Sequence, residues 1–430
     1  MSVKETDVFT PTTFPEYTYI EQTDKDLETN LERGLKTPGE IISLSGPSKS
    51  GKTVLIQRVV NDGYLIKING GNIETVADLW NNILDQLGVP HSTEISKGEA
   101  TELTLSAKII SKLGLDQILS VGGEVGTTTT ESVSTNTLEQ YDRRGVTQVV
   151  EDLRNEDYLV LIDNFHHINQ ETQKNIAQVI REFPEHDILI GVALVPHRSE
   201  AFFRANSDLR GRTNTLDIGY WKEKDLIQIG KTGFSKLGVN ISDNVLKLLA
   251  KETAGSPQLM QRLCLEMCFE KNIENSKRPN KSINVSEKDI NSLLTECVRF
   301  AKHEDTVNVL NSGKPTRGKS RTNFQYVDGS EGDYYNCILR AISIGEPKRS
   351  LHVDEVKERL SKICKNKTPS TQSIKKGCKY MIELAEDKLP DENPIDWKES
   401  TDEVHIPDPY FLYYLRWTNH IGGIQNVDLN

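Results

Sequence analysis

The sequence predicts an α/β protein: a parallel sheet with helices on both faces, then an all-helical stretch, then a small C-terminal winged helix-turn-helix. Three observations predict it. Short, largely apolar runs (EIISLSG at 40–46, YLIKI at 64–68, LVLID at 159–163, DILIGVAL at 187–194) alternate with longer segments of helical period. That alternation marks parallel strands buried on both faces and joined by helices. The strand runs stop near residue 220, and helical periodicity continues without them to about 302. Residues 332–417 then carry three helical segments followed by extended residues, the order of a winged helix-turn-helix.

In chain order, residues 1–20, with FTPTTFPEYTYI at 9–20, read as an extended lead-in, and Leu27, Leu31 and Leu35 put a helix over 22–36. The strand at 40–46 leads through a glycine-containing loop to a helix over 52–60. The strand at 64–68 precedes a helix near 75–87, with Val76, Leu79, Trp80, Ile83, Leu84 and Leu87 on one face. Residues 91–140 interrupt the pattern: a LSAKIISKLG helix runs into ILSVGGEVGTTTTESVSTNT, whose composition suggests a hairpin or a mobile loop. This insertion is either a pore or partner loop or a tolerated excursion. A helix over 139–154, the LVLID strand, a helix over 169–182 and the strand at 187–194 resume the alternation. Helices follow near 222–236, 242–253, 256–273 and 286–302, with Ser242 and Ser286 placed as N-caps. The polar, mildly basic stretch 303–331 reads as a linker. The domains expected are therefore 1–220 (sheet domain), 221–302 (helical lid), 303–331 (linker) and 332–430 (winged helix).

Composition narrows the class. The 430 residues are 36% hydrophobic and 27% charged, with net charge −11, so no global basic field draws the chain to nucleic acid. A local basic face is still open. The N-terminus MSVKETDVFT has no apolar core of a signal peptide and no apolar run approaches membrane-spanning length, so a cytoplasmic protein without a membrane partner is expected. Cys264, Cys268, Cys297, Cys337, Cys364 and Cys378 form no C-x-x-C pair, and read as reduced, small apolar residues.

The most specific signal is GPSKSGKT, residues Gly46, Pro47, Ser48, Lys49, Ser50, Gly51, Lys52 and Thr53, with Val54 next. It fits G-x-x-x-x-G-K-[ST] and lies between a strand and a helix, the context that gives the pattern meaning. Backbone N–H groups and the helix N-terminus would cradle the phosphates of ATP. Lys52 would reach the β- and γ-phosphates, and the Thr53 hydroxyl would ligate Mg²⁺. Asp163, ending LVLID, is placed to hold the same Mg²⁺ from a neighbouring strand tip.

The order GPSKSGKT, LVLIDNFHHI, ILIGVAL, LRGRTNTLDI, a helical lid containing GSPQLM and a winged helix resembles the AAA+ superfamily. Within it, the chain looks most like STAND-type and initiator-like prokaryotic ATPases, over about residues 15–300 and more weakly over 332–417. The resemblance implies that Arg212, with Arg210 second, is an arginine finger for a neighbouring subunit's γ-phosphate in a homo-oligomer. It implies a sensor at His197 or Arg198, and a lid proline, Pro257 of Gly255-Ser256-Pro257, near the nucleotide base. It departs at Asn164, where the family usually has an acidic residue. An amide can position a water but cannot accept its proton, so slow hydrolysis is expected unless another residue, such as His166 or His167, serves.

From Lys357 to Lys379 eight Lys or Arg face one acid, Glu358, and Lys375, Lys376 and Lys379 are the candidate DNA contacts. The acidic segment DENPIDWKESTDE argues the other way, for a domain that packs on protein. The expected function is an ATP-dependent oligomeric switch with a protein or DNA partner, in a setting such as antiviral defence and with its effector on a separate chain. The alternative is a DNA-binding ATPase of the replication-initiator or transposition-regulator type.

Overall fold

The structure is a computed structural model, and it describes residues 3–22, 24–90, 92–96, 138–154, 156–195, 209, 211–274, 281–315, 320–389 and 392–418. It bears out the mixed α/β class. Among the described residues, seven strands occupy the first half: β1 (Ile41–Ser45), β2 (Leu65–Asn69), β3 (Ser92–Ser96), β4 (Leu138–Asp142), β5 (Leu159–Asp163), β6 (Leu189–Leu194) and β7 (Thr213–Asp217). Five of them form one sheet in the order β2-β5-β6-β1-β7. β2 runs parallel to β5 from Leu65↔Leu159 to Asn69↔Asp163, and β5 runs parallel to β6. β1 and β7 share a direction, since Ile41 N donates to Arg212 O and Ile218 N donates to Ser45 O, both at 2.8 Å. Every residue of β1 (IISLS) and β5 (LVLID) is buried, as expected of mostly apolar strands covered on both faces.

The chain divides into two compact units. One comprises Thr29–Leu44 and Ile56–Leu216. Its core joins Ile66, Ile68, Val160, Ile162, Ile190 and Val192 of the strands to Leu79, Ile83 and Trp80 of the helix Val76–Gln86 and to Ile176 and Ile180 of the helix Gln170–Ile180. β3 and β4 pair as an antiparallel hairpin at the two ends of the insertion, and residues 97–137 between them lie outside the described residues. The helix expected over 139–154 is shorter, Val146–Leu153, because 138–142 is strand and Gly145 turns the chain at φ +62°.

The other unit comprises Met1–Glu28, Ser45–Leu55 and Asp217–Asn430, so the GPSKSGKT loop belongs to it. The helices over the stretch expected to be a lid are Glu223–Lys236, Asp243–Glu252, Pro257–Glu270 and Glu287–Glu296. Ser242 caps the second by accepting from Val245 N, and Ser286 with Asp289 forms a capping box at the fourth. The lead-in is partly helical, Glu5–Val8, and docks on the lid: Phe9 is buried beside Phe234, and the Gln261 amide donates to Thr18 Oγ1 at 2.6 Å.

Two expectations fail here for physical reasons. The stretch 303–331, read as a linker, contains the helix Glu304–Ser312 and a small hairpin that pairs Phe324–Gln325 with Glu331–Gly332. Val307, Leu310, Phe324 and Tyr326 are buried, so a few apolar side chains anchor a segment whose composition is polar. The stretch EVHIPDPYFLYYLRW, read as extended, contains the helix Pro409–Trp417. Its aromatic residues favour strands in isolation. Asp408 as N-cap and Pro409 at the first helical position decide for helix, and all nine residues are buried. Before it, strands Ser350–His352, Glu403–His405 and Asp396–Lys398 form a three-stranded antiparallel sheet beside the helices Tyr334–Ser343, Val353–Ile363 and Thr371–Lys388. The six cysteines are buried and unbridged, as expected.

Candidate nucleotide site

The Gly46–Thr53 loop joins the end of β1 to the helix Lys52–Val59. It makes its turn with two left-handed residues, Lys49 at φ +61° and Gly51 at φ +96°. Gly51 is the residue that takes such a φ at no steric cost, which explains the second glycine of the pattern. The Lys52 ammonium is buried and donates to Gly46 O and Pro47 O, each at 2.8 Å. The Ser50 hydroxyl is buried and makes no hydrogen bond among the described residues. An unsatisfied buried hydroxyl costs about 1–3 kcal/mol unless something meets it. A glycine-containing loop with a buried lysine and an unmet hydroxyl at a helix start fits the phosphates of a nucleotide.

On the sheet unit, Asp163 ends β5, and its Oδ1 accepts from Asn164 N at 2.9 Å. Lys67 Nζ stands 3.3 Å from Asp163 Oδ2, a cation beside the carboxylate expected to serve Mg²⁺. Asn164 adopts a left-handed conformation (φ +53°, ψ 38°) that asparagine and aspartate tolerate better than most residues. Its side chain reaches toward Asn69 Oδ1 at 3.5 Å, the long limit of a hydrogen bond. A Cβ on Gly70 would lie 2.5 Å from Asn164 O, so the residue that follows β2 must be glycine for its turn to pass this close. Lys67, Asn69 and Gly70 were missed from sequence. The signal was the KING tetrapeptide, polar residues where a buried strand should be apolar. His167 is exposed, and the His166 side chain lies outside the described residues.

The structure brings the loop together with part of the lid. Trp221 Nε1 donates to Ser50 O at 2.8 Å, and Trp221 N donates to Gly255 O at 3.3 Å. Pro257 follows as the first residue of the lid helix that Ser256 caps. Thr53 and Val54 are half-buried in the first turn after the loop. Arg212 is elsewhere: its carbonyl pairs with Ile41 N at the start of the strands, whereas Asp163 stands at their C-terminal end. A five-residue strand separates those ends by roughly 16 Å. The Arg212 guanidinium is half-exposed and pairs with Glu185 at 3.1 Å. Arg210, His197 and Arg198 lie outside the described residues.

The candidate DNA contacts are engaged within the chain. Lys375 pairs with Asp402 at 2.6 Å, Lys379 pairs with Glu399, and Lys376 lies over the Tyr380 ring at 5.4 Å. Both acids belong to the turn of the small sheet, so the acidic segment noted in the sequence pairs with two of the three candidate lysines.

A parallel sheet, a GxxxxGK[ST] loop after β1 and an aspartate at the tip of β5 are the features of the P-loop fold class. Residues 36–202 match the family model of the AAA domain, which with the fold supports a P-loop AAA+ ATPase. No curated protein matches the chain. Among solved structures, the Walker-type ATPase PABY2304 of Pyrococcus abyssi is similar at 13% identity and TM-score 0.50, covering 92% of this chain and 96% of its own. Cdc6p from Pyrobaculum aerophilum (12% identity, TM-score 0.42, 96% and 98% covered) and the ORC2 protein of Aeropyrum pernix (14%, 0.44, 95% and 96%) are also similar. Among the described residues no helix is long and apolar enough to cross a membrane.

Proposed function

We propose that the protein is an ATP-binding, slowly hydrolysing AAA+ switch in which nucleotide at the Gly46–Thr53 loop is sensed by the lid and the C-terminal winged-helix unit. The observation that carries it is the Trp221 Nε1 bond to Ser50 O, which ties the phosphate loop to the lid. The loop amides and Lys52 would hold the phosphates, and Thr53 and Asp163 the Mg²⁺. Bound Mg²⁺ would offset phosphate charge during attack by water. Asn164 can orient that water through its amide but offers no base, so turnover would be slow. Arg212, at the far end of the strands from Asp163, suits a neighbouring copy's site in a homo-oligomer better than its own.

The test is titration calorimetry with ATP and Mg²⁺, together with size-exclusion chromatography, on the wild type and Lys52→Ala. Binding and assembly that the substitution abolishes support the switch. No heat of binding to a folded wild type refutes it.

A second reading, contact with DNA through the helix Thr371–Lys388, draws on the basic run from Lys357 to Lys379. The ion pairs of Lys375 and Lys379 stand against it. If DNA binds, its affinity falls with salt at a slope near −0.9 per phosphate neutralised, and Lys375→Ala with Lys379→Ala reduces that slope.

A further inference from the structure

Lys49 is a non-glycine position of the phosphate loop, and its side chain is committed to the C-terminal helix. The ammonium donates to both oxygens of Asp408, at 3.0 and 2.9 Å, and lies 4.2 Å from the centre of the Tyr410 ring. Asp408 is the N-cap of the helix Pro409–Trp417, accepting from Tyr410 N at 2.8 Å, and stands 3.6 Å from His303 Nε2. Burial pushes the Asp408 carboxyl up, but His303 and Lys49 outweigh it and hold the group well below the usual carboxylate range. It is therefore a full negative charge beside the loop. The next loop residue, Ser50, is held by Trp221. Two consecutive loop residues are thus gripped by side chains from beyond residue 216.

The helix that Asp408 starts is firmly fixed at its other end. Arg416 makes a two-pronged pair with Glu252, both bonds at 2.9 Å, and Trp417 Nε1 donates to the same carboxylate at 2.9 Å. Glu252 ends the lid helix just before the turn that leads to Gly255 and Pro257. The helix thus meets the phosphate loop at its first end and the lid at its last.

We propose that Asp408 is a latch on the phosphate loop: through Lys49 it opposes the binding of a nucleoside triphosphate and couples that binding to the C-terminal helix. This coupling presupposes that the loop binds nucleotide. A triphosphate seated on the loop attracts the Lys49 ammonium and repels the Asp408 carboxylate, so both forces act to part the pair. By linkage, whatever draws the C-terminal helix away tightens nucleotide binding by the same factor that nucleotide loosens the latch. Tyr220 Oη, 3.0 Å from His405 Nε2, is a further tie within the same unit and places the strand before Asp408 in the same linkage.

The test is calorimetric binding of ATP with Mg²⁺ to the full chain as wild type, Asp408→Asn, Lys49→Met and the double variant, with Lys52→Ala as the blank. Asparagine keeps the N-cap acceptor and removes only the charge. Asp408→Asn is expected to bind ATP about three- to tenfold tighter, chiefly because it frees the Lys49 ammonium to turn to the phosphates, the order expected for one unit charge brought near a phosphate in a well-screened setting. In the Lys49→Met background the same substitution should change affinity about twofold or less. Unchanged or weaker binding by Asp408→Asn overturns the latch, as does an equal gain without Lys49. A folded wild type that binds no ATP overturns the nucleotide reading itself, and the latch with it. Should Asp408→Asn fail to fold, hydrogen exchange carries the test: ATP raises exchange across 403–410 in the wild type but not in Lys49→Met. An equal response in both overturns the proposal.

Discussion

Replacing Glu252 by Gln keeps the side chain's shape and takes away one buried charge. The Glu252 and Arg416 side chains are 7% and 2% exposed, so solvent cannot take over for the lost partner. The guanidinium keeps Ser343 O at 2.9 Å and Gly345 O at 2.8 Å as acceptors, and glutamine can still accept one of the bonds that Glu252 now receives. Breaking a buried pair from one side costs ~3–5 kcal/mol, and the retained acceptors place this case at the lower end, about 3 kcal/mol. At about 2–4 °C per kcal/mol for a unit of this size, the melting transition should fall by roughly 6–12 °C. Differential scanning calorimetry reads it directly. Removing both charges, as Glu252→Gln with Arg416→Met, should recover at least about 1 kcal/mol, because an absent pair is cheaper than half of one. A loss below about 1 kcal/mol in the single variant, or a double variant no better than additive, would refute the claim that this pair joins the lid to the last helix.

Gly70→Ala places a Cβ 2.5 Å from Asn164 O and must displace the turn that carries Asp163, so Mg²⁺-dependent ATP binding should weaken at least tenfold, read by calorimetry with and without Mg²⁺. Asn164→Asp suits the same left-handed backbone and supplies a proton acceptor, so ATP turnover should rise by about 10²-fold or more in a phosphate-release assay; an unchanged rate would mean that another group already acts as base. Asp289 is held near a pKa of about 2, first by the hydrogen bond from Lys271 and then by the Ser286 backbone N–H. Its folded pKa lies below the ordinary 3.8, so its stabilising contribution is complete above that value and is lost as pH falls from about 4 toward 2. Asp289→Asn should flatten the pH dependence of stability in that window, measured by urea unfolding at stepped pH.

What the sequence disclosed was local. GPSKSGKT and LVLID are each contiguous, so their chemistry could be read before any contact was known. The strands around them were legible because burial on both faces leaves a largely apolar run. Lys67, Asn69 and Gly70 matter only because β2 pairs with β5 in a register that sets Asn69 against Asp163, and strand order is not written in either strand. The helix Pro409–Trp417 was hidden by its own aromatic content, although the Asp-Pro start was in plain sight. Glu252 and Arg416 stand 164 positions apart, and nothing in either neighbourhood announces the other. Lys375, Lys376 and Lys379 show the converse: a basic run is visible, but the acids that meet it come from the later hairpin.

The two ion pairs of the C-terminal helix differ in a way that bears on switching. Glu252–Arg416, at 7% and 2% exposure, is enclosed, and separating it strands a charge where water does not follow. Lys49–Asp408, at 33% and 23%, is part-way to solvent, where pairs are worth only about 1 kcal/mol or less and water can hydrate both ends once they part. A joint that must survive every cycle belongs in the first setting, and a contact that must open and close belongs in the second. The helix between them, nine residues or about 14 Å long, carries one at each end. Opening the loop contact while the lid contact holds would swing the helix's N-terminal end about a fixed C-terminal point. That is motion of a kind a nucleotide switch can use, because the free energy needed to open the contact lies within what a few phosphate contacts supply.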